Sequence, residues 1–151
     1  MKSHIVVDID GTIANIEHRL HYIKQPIPNW EGFHRQEEIL MDKPILDTLN
    51  LLRELRYVDD PLYDIVLCTG RYESCRDATV QWLGRSGMQW KHLLMRKTGD
   101  NRPDTEVKPE LLARAGLYPA QVLCIFEDRT SVVKKWRELG YTCYQVANGD
   151  Y

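Results

Sequence analysis

No run of apolar residues in these 151 positions approaches the roughly 20 needed to cross a bilayer, so the sequence predicts no membrane anchor. The start, MKSHIVVDID, has no signal-peptide core, because Asp8 and Asp10 interrupt its apolar run. Cysteine is scarce, and none of the four belongs to a C-x-x-C pair, which excludes a paired-cysteine zinc or dithiol motif. Cys68, Cys124 and Cys143 sit within apolar stretches and Cys75 follows a turn, so four reduced thiols and a cytoplasmic setting are expected. Gly- or Ser-rich linkers, low-complexity tracts and internal repeats are absent as well, and the length suits a single domain over 1–151. Charge of one sign is lacking too. The net charge of −2 gives the whole molecule no attraction to nucleic acid. Its distribution is uneven: residues 1–60 carry more acidic than basic side chains, and residues 71–108 the reverse, so an anionic partner should meet the second region.

What is present is a set of short apolar runs: HIVVDI at 4–9, DIVLCT at 64–69, VLCIFE at 122–127 and TCYQVA at 142–147, with HLLM at 92–95 as a shorter fifth. Helical spacing separates them at Ile45, Leu49, Leu52 and Leu55, at Val80 and Leu83, and at Val132, Val133 and Trp136. Continuous apolar strands alternating with helices predict an α/β fold: a Rossmann-like parallel sheet of about five strands with helices on both faces. Residues 21–43, with Pro26, Pro28 and Gly32 among Tyr22, Trp30 and Phe33, break this rhythm and read as a small cap inserted after strand 1.

Polar residues collect at the predicted carboxyl ends of the strands, where open parallel sheets bind ligands. The first strand runs into Asp8, Asp10, Gly11 and Thr12, the second into Thr69, Gly70 and Arg71, and the third into Glu127, Asp128 and Arg129. Converging carboxylates raise one another's pKa unless a cation joins them, and Mg²⁺ suits hard oxygen ligands such as Asp8 and Asp128. Asp10 would offer the metal its backbone carbonyl and turn its side chain to the substrate for acid-base work. A calcium loop is excluded by spacing, since DIDGTIANIEHR ends in arginine where an EF-hand needs glutamate. Asp8 and Asp10 as plain turn residues before a helix remain the bland alternative.

Taken in order, DIDGT, TGR, a lone lysine and an acidic pair after an apolar strand resemble the haloacid dehalogenase superfamily of phosphohydrolases. The resemblance implies Asp8 as nucleophile, Asp10 as general acid-base, Thr69 as phosphate-binding hydroxyl, Lys108 as phosphate anchor and Asp128 as metal-binding carboxylate. Arg19, eleven residues after Asp8, together with GDNRPDTEVKPE at 99–110 and EDRTSVVKKWRELGYTCYQVANGDY at the end, is more specifically similar to the 3′-phosphatase domain of phage-type polynucleotide kinases. It implies a Mg²⁺-dependent polynucleotide 3′-phosphatase working through an aspartyl-phosphate, with 2′,3′-cyclic phosphates as a further substrate. The alternative is a 5′(3′)-nucleotidase acting on free nucleotides. Implied partners are 3′-phosphorylated DNA or RNA ends and a separate kinase or ligase. No G-x-x-x-x-G-K-[ST] loop occurs, so kinase activity is not expected of these residues, and Glu127 stands where the family often has aspartate.

Seven residues complete the expected site. Arg19 and Arg71 have the fork geometry either to grip a phosphate or to order an acidic neighbour. Asp104, four residues before Lys108, is placed to fix that lysine or Arg96 by an ion pair, with Glu127 also supporting. Within the basic region, Arg96 and Arg102 are the expected contacts to flanking phosphates, with Gly70 beside them at the phosphate. Trp30 and Phe33 are left between stacking on a base and packing on the domain beneath, and none of the histidines is assigned a role.

Overall fold

The computed structural model describes residues 1–56 and 62–150. In chain order the elements are β1 (His4–Val7), β2 (Ala14–Asn15), a 3-10 turn (Glu17–Tyr22), α1 (Trp30–Phe33), α2 (Gln36–Leu40), β3 (Lys43–Pro44), α3 (Leu46–Arg56), β4 (Asp64–Tyr72), a second 3-10 turn (Glu73–Cys75), α4 (Arg76–Arg85), β5 (His92–Arg96), α5 (Asp104–Arg114), β6 (Val122–Glu127), α6 (Thr130–Glu138) and β7 (Cys143–Gln145). Five strands form one parallel sheet in the order β5-β4-β1-β6-β7, while β2 and β3 pair as a separate antiparallel ribbon. The expected α/β parallel sheet is thus present, with all five apolar runs in it.

Alternation along each strand sends side chains to two cores. Ile5, Val7, Ile65, Leu67 and Phe126 face one side, where Leu49 and Leu52 of α3 and Ala78, Trp82 and Leu83 of α4 cover them. Val6, Val66, Cys68 and Ile125 face the other, under Leu112 of α5 and Val132, Val133 and Trp136 of α6. Both faces of the central strands β1, β4 and β6 are covered, which is why these read as unbroken apolar runs. All four cysteines are free and buried, and burial pushes their thiols up, Cys75 to about 11 and Cys143 to about 12.

Three details differ from the sequence reading. The expected α3 stripe is buried only at Leu49 and Leu52, because Ile45 precedes the helix and Leu55 is exposed; Val80 is exposed too, and α4 buries Ala78, Thr79, Trp82 and Leu83 instead. The insertion begins earlier than residue 21, since the β2–β3 ribbon fences off everything between Asn15 and Lys43. Finally, hydrophobic periodicity does not announce α5. Pro109 lies inside it, and one of its three buried positions carries the charge of Lys108.

Within the insertion, Asn29 caps α1 by accepting from the Gly32 N–H at 2.8 Å, and the side chain of Ile39 in α2 is fully buried. The Trp82 indole N–H donates to the Asp42 carbonyl at 2.7 Å, which ties the end of the insertion to α4.

Candidate active site

The strand order puts a switch point between β1 and β6: the chain leaves β1 toward β4 on one side and leaves β6 toward β7 on the other. Loops that part in this way open a crevice at the carboxyl edge. Asp8 immediately follows β1, Glu127 ends β6, and Asp128 comes next. After Asp8 the chain turns sharply, with the Ile9 carbonyl accepting from the N–H groups of Thr12, Ile13 and Ala14. Gly11 takes φ 80° there, a conformation that strains residues with a side chain.

At the crevice, Asp8 Oδ1 accepts from Lys108 Nζ at 2.8 Å and Asp8 Oδ2 from the Thr12 hydroxyl at 3.2 Å. The same ammonium donates to Glu127 Oε2 at 2.7 Å. Glu127 Oε1 in turn accepts from the backbone N–H groups of Asp128 and Arg129 at 3.2 and 3.3 Å. Burial, then the Glu127 charge, pushes the Asp8 carboxyl up to about 8, and burial also raises Glu127. Burial works against the charge on Lys108, but Asp8 and Glu127 outweigh it and hold the ammonium well above its usual range.

Asp10 has different surroundings. Its Oδ1 accepts from Arg71 Nε and Nη2, at 2.9 and 2.6 Å, and from Arg19 Nη2 at 2.8 Å. Both guanidiniums also bind Asp42: Arg19 through Nε and Nη2, each at 2.8 Å, and Arg71 through Nη2 at 2.6 Å. Burial opposes the charge on Asp10, yet Arg19 and Arg71 hold its carboxyl below the usual range. The side chains of Arg19 and Arg71 are fully enclosed, and neither residue borders the cavity. Of the two uses open to these arginines, the geometry has the second: they order acidic neighbours, and a phosphate would have to break those pairs to reach them. Asp42 was not singled out in the sequence, where DKP ahead of a helix looks like an ordinary start signal.

A third group surrounds Asp104. Arg96 donates through Nε to the Gly70 carbonyl at 2.9 Å, through Nη1 to the Asp100 and Arg102 carbonyls at 2.8 and 2.5 Å, and through Nη2 to Asp104 Oδ1. Asp104 also receives Arg129 Nη1 at 3.3 Å and lies 4.0 Å from Lys108 Nζ. The expected ion pair to Arg96 is therefore present, and Arg96 is a buried strut that also borders the cavity. Gly70 has a steric reason: a Cβ there would stand 2.6 Å from Asp104 Oδ1. The buried Thr69 hydroxyl accepts from the Arg71 N–H at 3.1 Å. Arg102 is exposed and held by Asp100 and Glu110, both at 2.8 Å.

These groups share a cavity of about 210 Å³. Asp8, Asp10, Lys108, Glu127, Asp128 and Arg129 border it from the sheet edge, Trp30, Phe33 and His34 from the insertion, and Arg96 at the end of β5 and the segment from Asp100 to Asp104 from a third side. Phe33 is buried with the Arg19 guanidinium 4.4 Å from its ring centre, which is packing; half-buried Trp30 borders the cavity. Asp42 and His34 are among the site-ordering and site-lining residues that the sequence reading passed over. Neither has a local pattern, because each meets the site through contacts distant in sequence, Asp42 with Arg19 and Arg71 and His34 with Tyr72.

Whether a metal fits can be judged from the donor set. Asp8, Glu127 and Asp128 each offer one carboxylate oxygen within 4.8 Å of the others. Three carboxyl groups meet the one positive charge of Lys108, and burial first, then the Glu127 charge, keeps the Asp8 carboxyl raised. A divalent cation with oxygen preference would balance the charge of the ionised set. Glu127 thus joins the expected Asp8 and Asp128 as a side-chain donor, while the ligand expected of Asp10 is its backbone carbonyl and its carboxylate pairs with two arginines.

Comparison with known proteins places the chain in a family. The family described as the polynucleotide kinase PNKP phosphatase domain matches residues 2–151. A protein of Autographa californica nuclear polyhedrosis virus, carrying the provisional name bifunctional polynucleotide kinase/RNA ligase, is 25% identical over 137 residues, which are 89% of this chain and 18% of the viral protein. Among solved structures, a chain of the Pnkp1/Rnl/Hen1 RNA repair complex superposes with a TM-score of 0.81 at 27% identity over 100% of this chain and 44% of that one. A haloacid dehalogenase-like hydrolase from Streptococcus pneumoniae shares the fold, with a TM-score of 0.67 at 14% identity over 95% of this chain and 84% of that one. The chain thus spans less than half the length of its polynucleotide kinase relatives. With a match over nearly its whole length and a site assembled at the sheet's switch point, the chain belongs to the polynucleotide kinase phosphatase-domain family of haloacid dehalogenase-type hydrolases.

Proposed function

We propose that the protein is a Mg²⁺-dependent polynucleotide 3′-phosphatase, with Asp8 as the nucleophile. The observation that carries this reading is the placement of Asp8 at the carboxyl end of the central strand, between the Lys108 ammonium and a carboxylate cluster, with Asp10 bordering the same cavity. Asp8 attacks phosphorus, the bond from phosphorus to O3′ breaks, and the departing oxygen takes a proton from the Asp10 carboxyl. Water then attacks the aspartyl-phosphate, gives its proton to Asp10, and releases inorganic phosphate while restoring Asp8. Asp8, Glu127 and Asp128 would hold the cation, which when bound supplies positive charge to the phosphoryl oxygens. Lys108 and the Thr12 hydroxyl orient Asp8, and Lys108 adds charge of the same sign as the cation.

The resting ionisation of Asp10 favours the second step, in which it must accept a proton. For the first step the two guanidiniums oppose protonation, and the approaching phosphate dianion offsets them. The names of the relatives join kinase, ligase and RNA repair, so the proposed substrates are broken nucleic-acid ends, with the kinase and sealing steps assigned to other polypeptide segments. 2′,3′-cyclic phosphate is a further proposed substrate.

The test is phosphate release, with Mg²⁺, from 3′-phosphorylated oligonucleotides and from free 3′-mononucleotides at matched salt. Faster release from the oligonucleotide, abolished in folded Asp8→Asn, is expected. Preference for the mononucleotide would move the assignment to a 5′(3′)-nucleotidase, and undiminished turnover by Asp8→Asn would remove Asp8 as nucleophile.

A further inference from the structure

His34 closes α1 in the insertion, and the steps above do not use it. Its ring is buried, 7% exposed, and stacks on Tyr72 with centroids 4.1 Å apart and planes at 23°, while Trp30 lies 6.2 Å away at 26°. Nδ1 is 2.9 Å from the Trp30 carbonyl oxygen, which can only accept, so Nδ1 carries a proton. Burial drives the ring's pKa down to about 4 against the pull of Asp10, with Arg19 and Arg71 adding to the fall. A neutral ring protonated on Nδ1 leaves Nε2 as a bare acceptor.

That acceptor is not sealed off. Among the described residues none donates to Nε2, yet the buried side-chain polar atoms without a partner are Arg56 Nε and Trp136 Nε1. Nε2 therefore keeps access to open space, and the space that His34 borders is the cavity shared with Asp8 and Asp10. A single guanidinium sets its place. Arg19 donates through Nη1 to the Phe33 carbonyl at 3.0 Å, next to His34, and through Nη2 to Asp10 at 2.8 Å, which locks the insertion's backbone to the acid-base residue.

Resting on the 3′-phosphatase reading, Asp10 faces the departing O3′ of the terminal sugar. The 2′ position is one carbon away, so a group fixed beside Asp10 meets that edge of the sugar. We propose that His34 is a specificity residue whose Nε2 accepts a hydrogen bond from the 2′-hydroxyl of a terminal ribose, so that the site prefers RNA 3′-phosphate ends to DNA ends. A deoxyribose has no donor there and would leave a buried acceptor unpaired, and this asymmetry lets a site reject the analogue that lacks a hydroxyl.

The experiment uses 3′-phosphorylated RNA oligonucleotides identical except at the last sugar, which is ribose, 2′-deoxyribose or 2′-fluororibose, together with a small aryl phosphate. For the wild type, kcat/KM on the ribose end should exceed that on the deoxy and fluoro ends by about tenfold, the scale of one neutral hydrogen bond. His34→Phe keeps a flat ring and removes Nε2. Its loss on the ribose end should not multiply with the loss from 2′-deoxy substitution, so the ratio of ribose to deoxy falls to about one. His34→Gln, which restores an acceptor, should recover part of the ratio. Equal wild-type rates on ribose and deoxy ends overturn the inference, as do a fluoro end that behaves like ribose and a His34→Phe loss that multiplies with the sugar change. Should His34→Phe fail to fold, the three wild-type rates decide the matter. Hydrolysis of the aryl phosphate with no oligonucleotide cleaved sinks the 3′-phosphatase reading itself.

Discussion

Lys108 Nζ lies 2.8 Å from Asp8 Oδ1 across a hundred residues of chain, with both side chains enclosed. The lysine is shared with Glu127, and burial, then the Glu127 charge, outweighs its pull and leaves Asp8 holding a proton up to about pH 8. A metal that takes Asp8 as a ligand must displace that proton.

Cation affinity should therefore rise with pH, by about tenfold per unit below pH 8 if one proton leaves per ion. Calorimetry with Mn²⁺ or Mg²⁺ in buffers of different ionisation enthalpy reads this directly, as close to one proton released at pH 6.5 and fewer near pH 8.5. The cation-free protein gives the matching sign. With Asp8 raised in the fold, the native state holds the extra proton, so stability falls as pH climbs toward 8. His34, lowered in the fold, acts oppositely but only below about pH 6.5. A melting temperature that declines from pH 6.5 to 8.5 without metal, and not with it, is the expected pattern.

Asp42 has no place in the chemistry and should still be indispensable. Removing it by Asp42→Ala leaves Arg19 and Arg71 buried with Asp10 as their remaining carboxylate. Breaking a buried pair in this way costs about 3 kcal/mol or more. Denaturant melts should show that loss, and turnover should fall at least about tenfold as Asp10 shifts. Asp42→Asn, which keeps one oxygen acceptor, should lie between the two.

Gly149 brings the C-terminal segment against the site. A Cβ there would lie 2.7 Å from the carbonyl carbon, carbonyl oxygen and Oδ2 of Asp128, so Gly149→Ala must push Asp128 aside. Weaker Mn²⁺ binding, followed by electron paramagnetic resonance, is expected with a modest change in melting temperature. Gly84→Ala is the control. Nothing lies within 4 Å of a Cβ at that position of α4, and alanine there should stabilise by up to about 1 kcal/mol.

Arg96 and Arg102 should separate cleanly. Arg96→Ala removes a strut that holds Gly70, Asp100, Arg102 and Asp104, and should lower stability and turnover alike on every substrate. Arg102→Ala removes an exposed charge at the mouth of the cavity. Its effect should fall on oligonucleotides more than on an aryl phosphate and shrink as salt rises, through counterion release. Rates at two salt concentrations for both substrates check this.

The parallel sheet was legible because its central strands β1, β4 and β6 are buried on both faces and so stay apolar, and every run, from HIVVDI to the partly exposed TCYQVA at the edge, contributes a strand to it. Asp8, Asp10 and Asp128 were legible for a related reason. A carboxylate directly after such a strand stands at the sheet edge whatever else the chain does. The α5 helix was not legible, because Pro109 and the buried Lys108 disguise its pattern.

What the sequence by itself determined, then, is the layered α/β architecture and the convergence of acidic residues at one edge, both consequences of local periodicity. Only the tertiary structure decided how charge is shared there. Arg19 and Arg71 turn to Asp10 and Asp42 rather than to the cavity, Glu127 joins the cluster with Asp8 and Asp128, and His34 comes to rest on Tyr72 beside them. The physical reason is that an ion pair stabilises only over a few ångströms and only once water is excluded. Which charges meet at that range is set by packing between segments far apart in the chain.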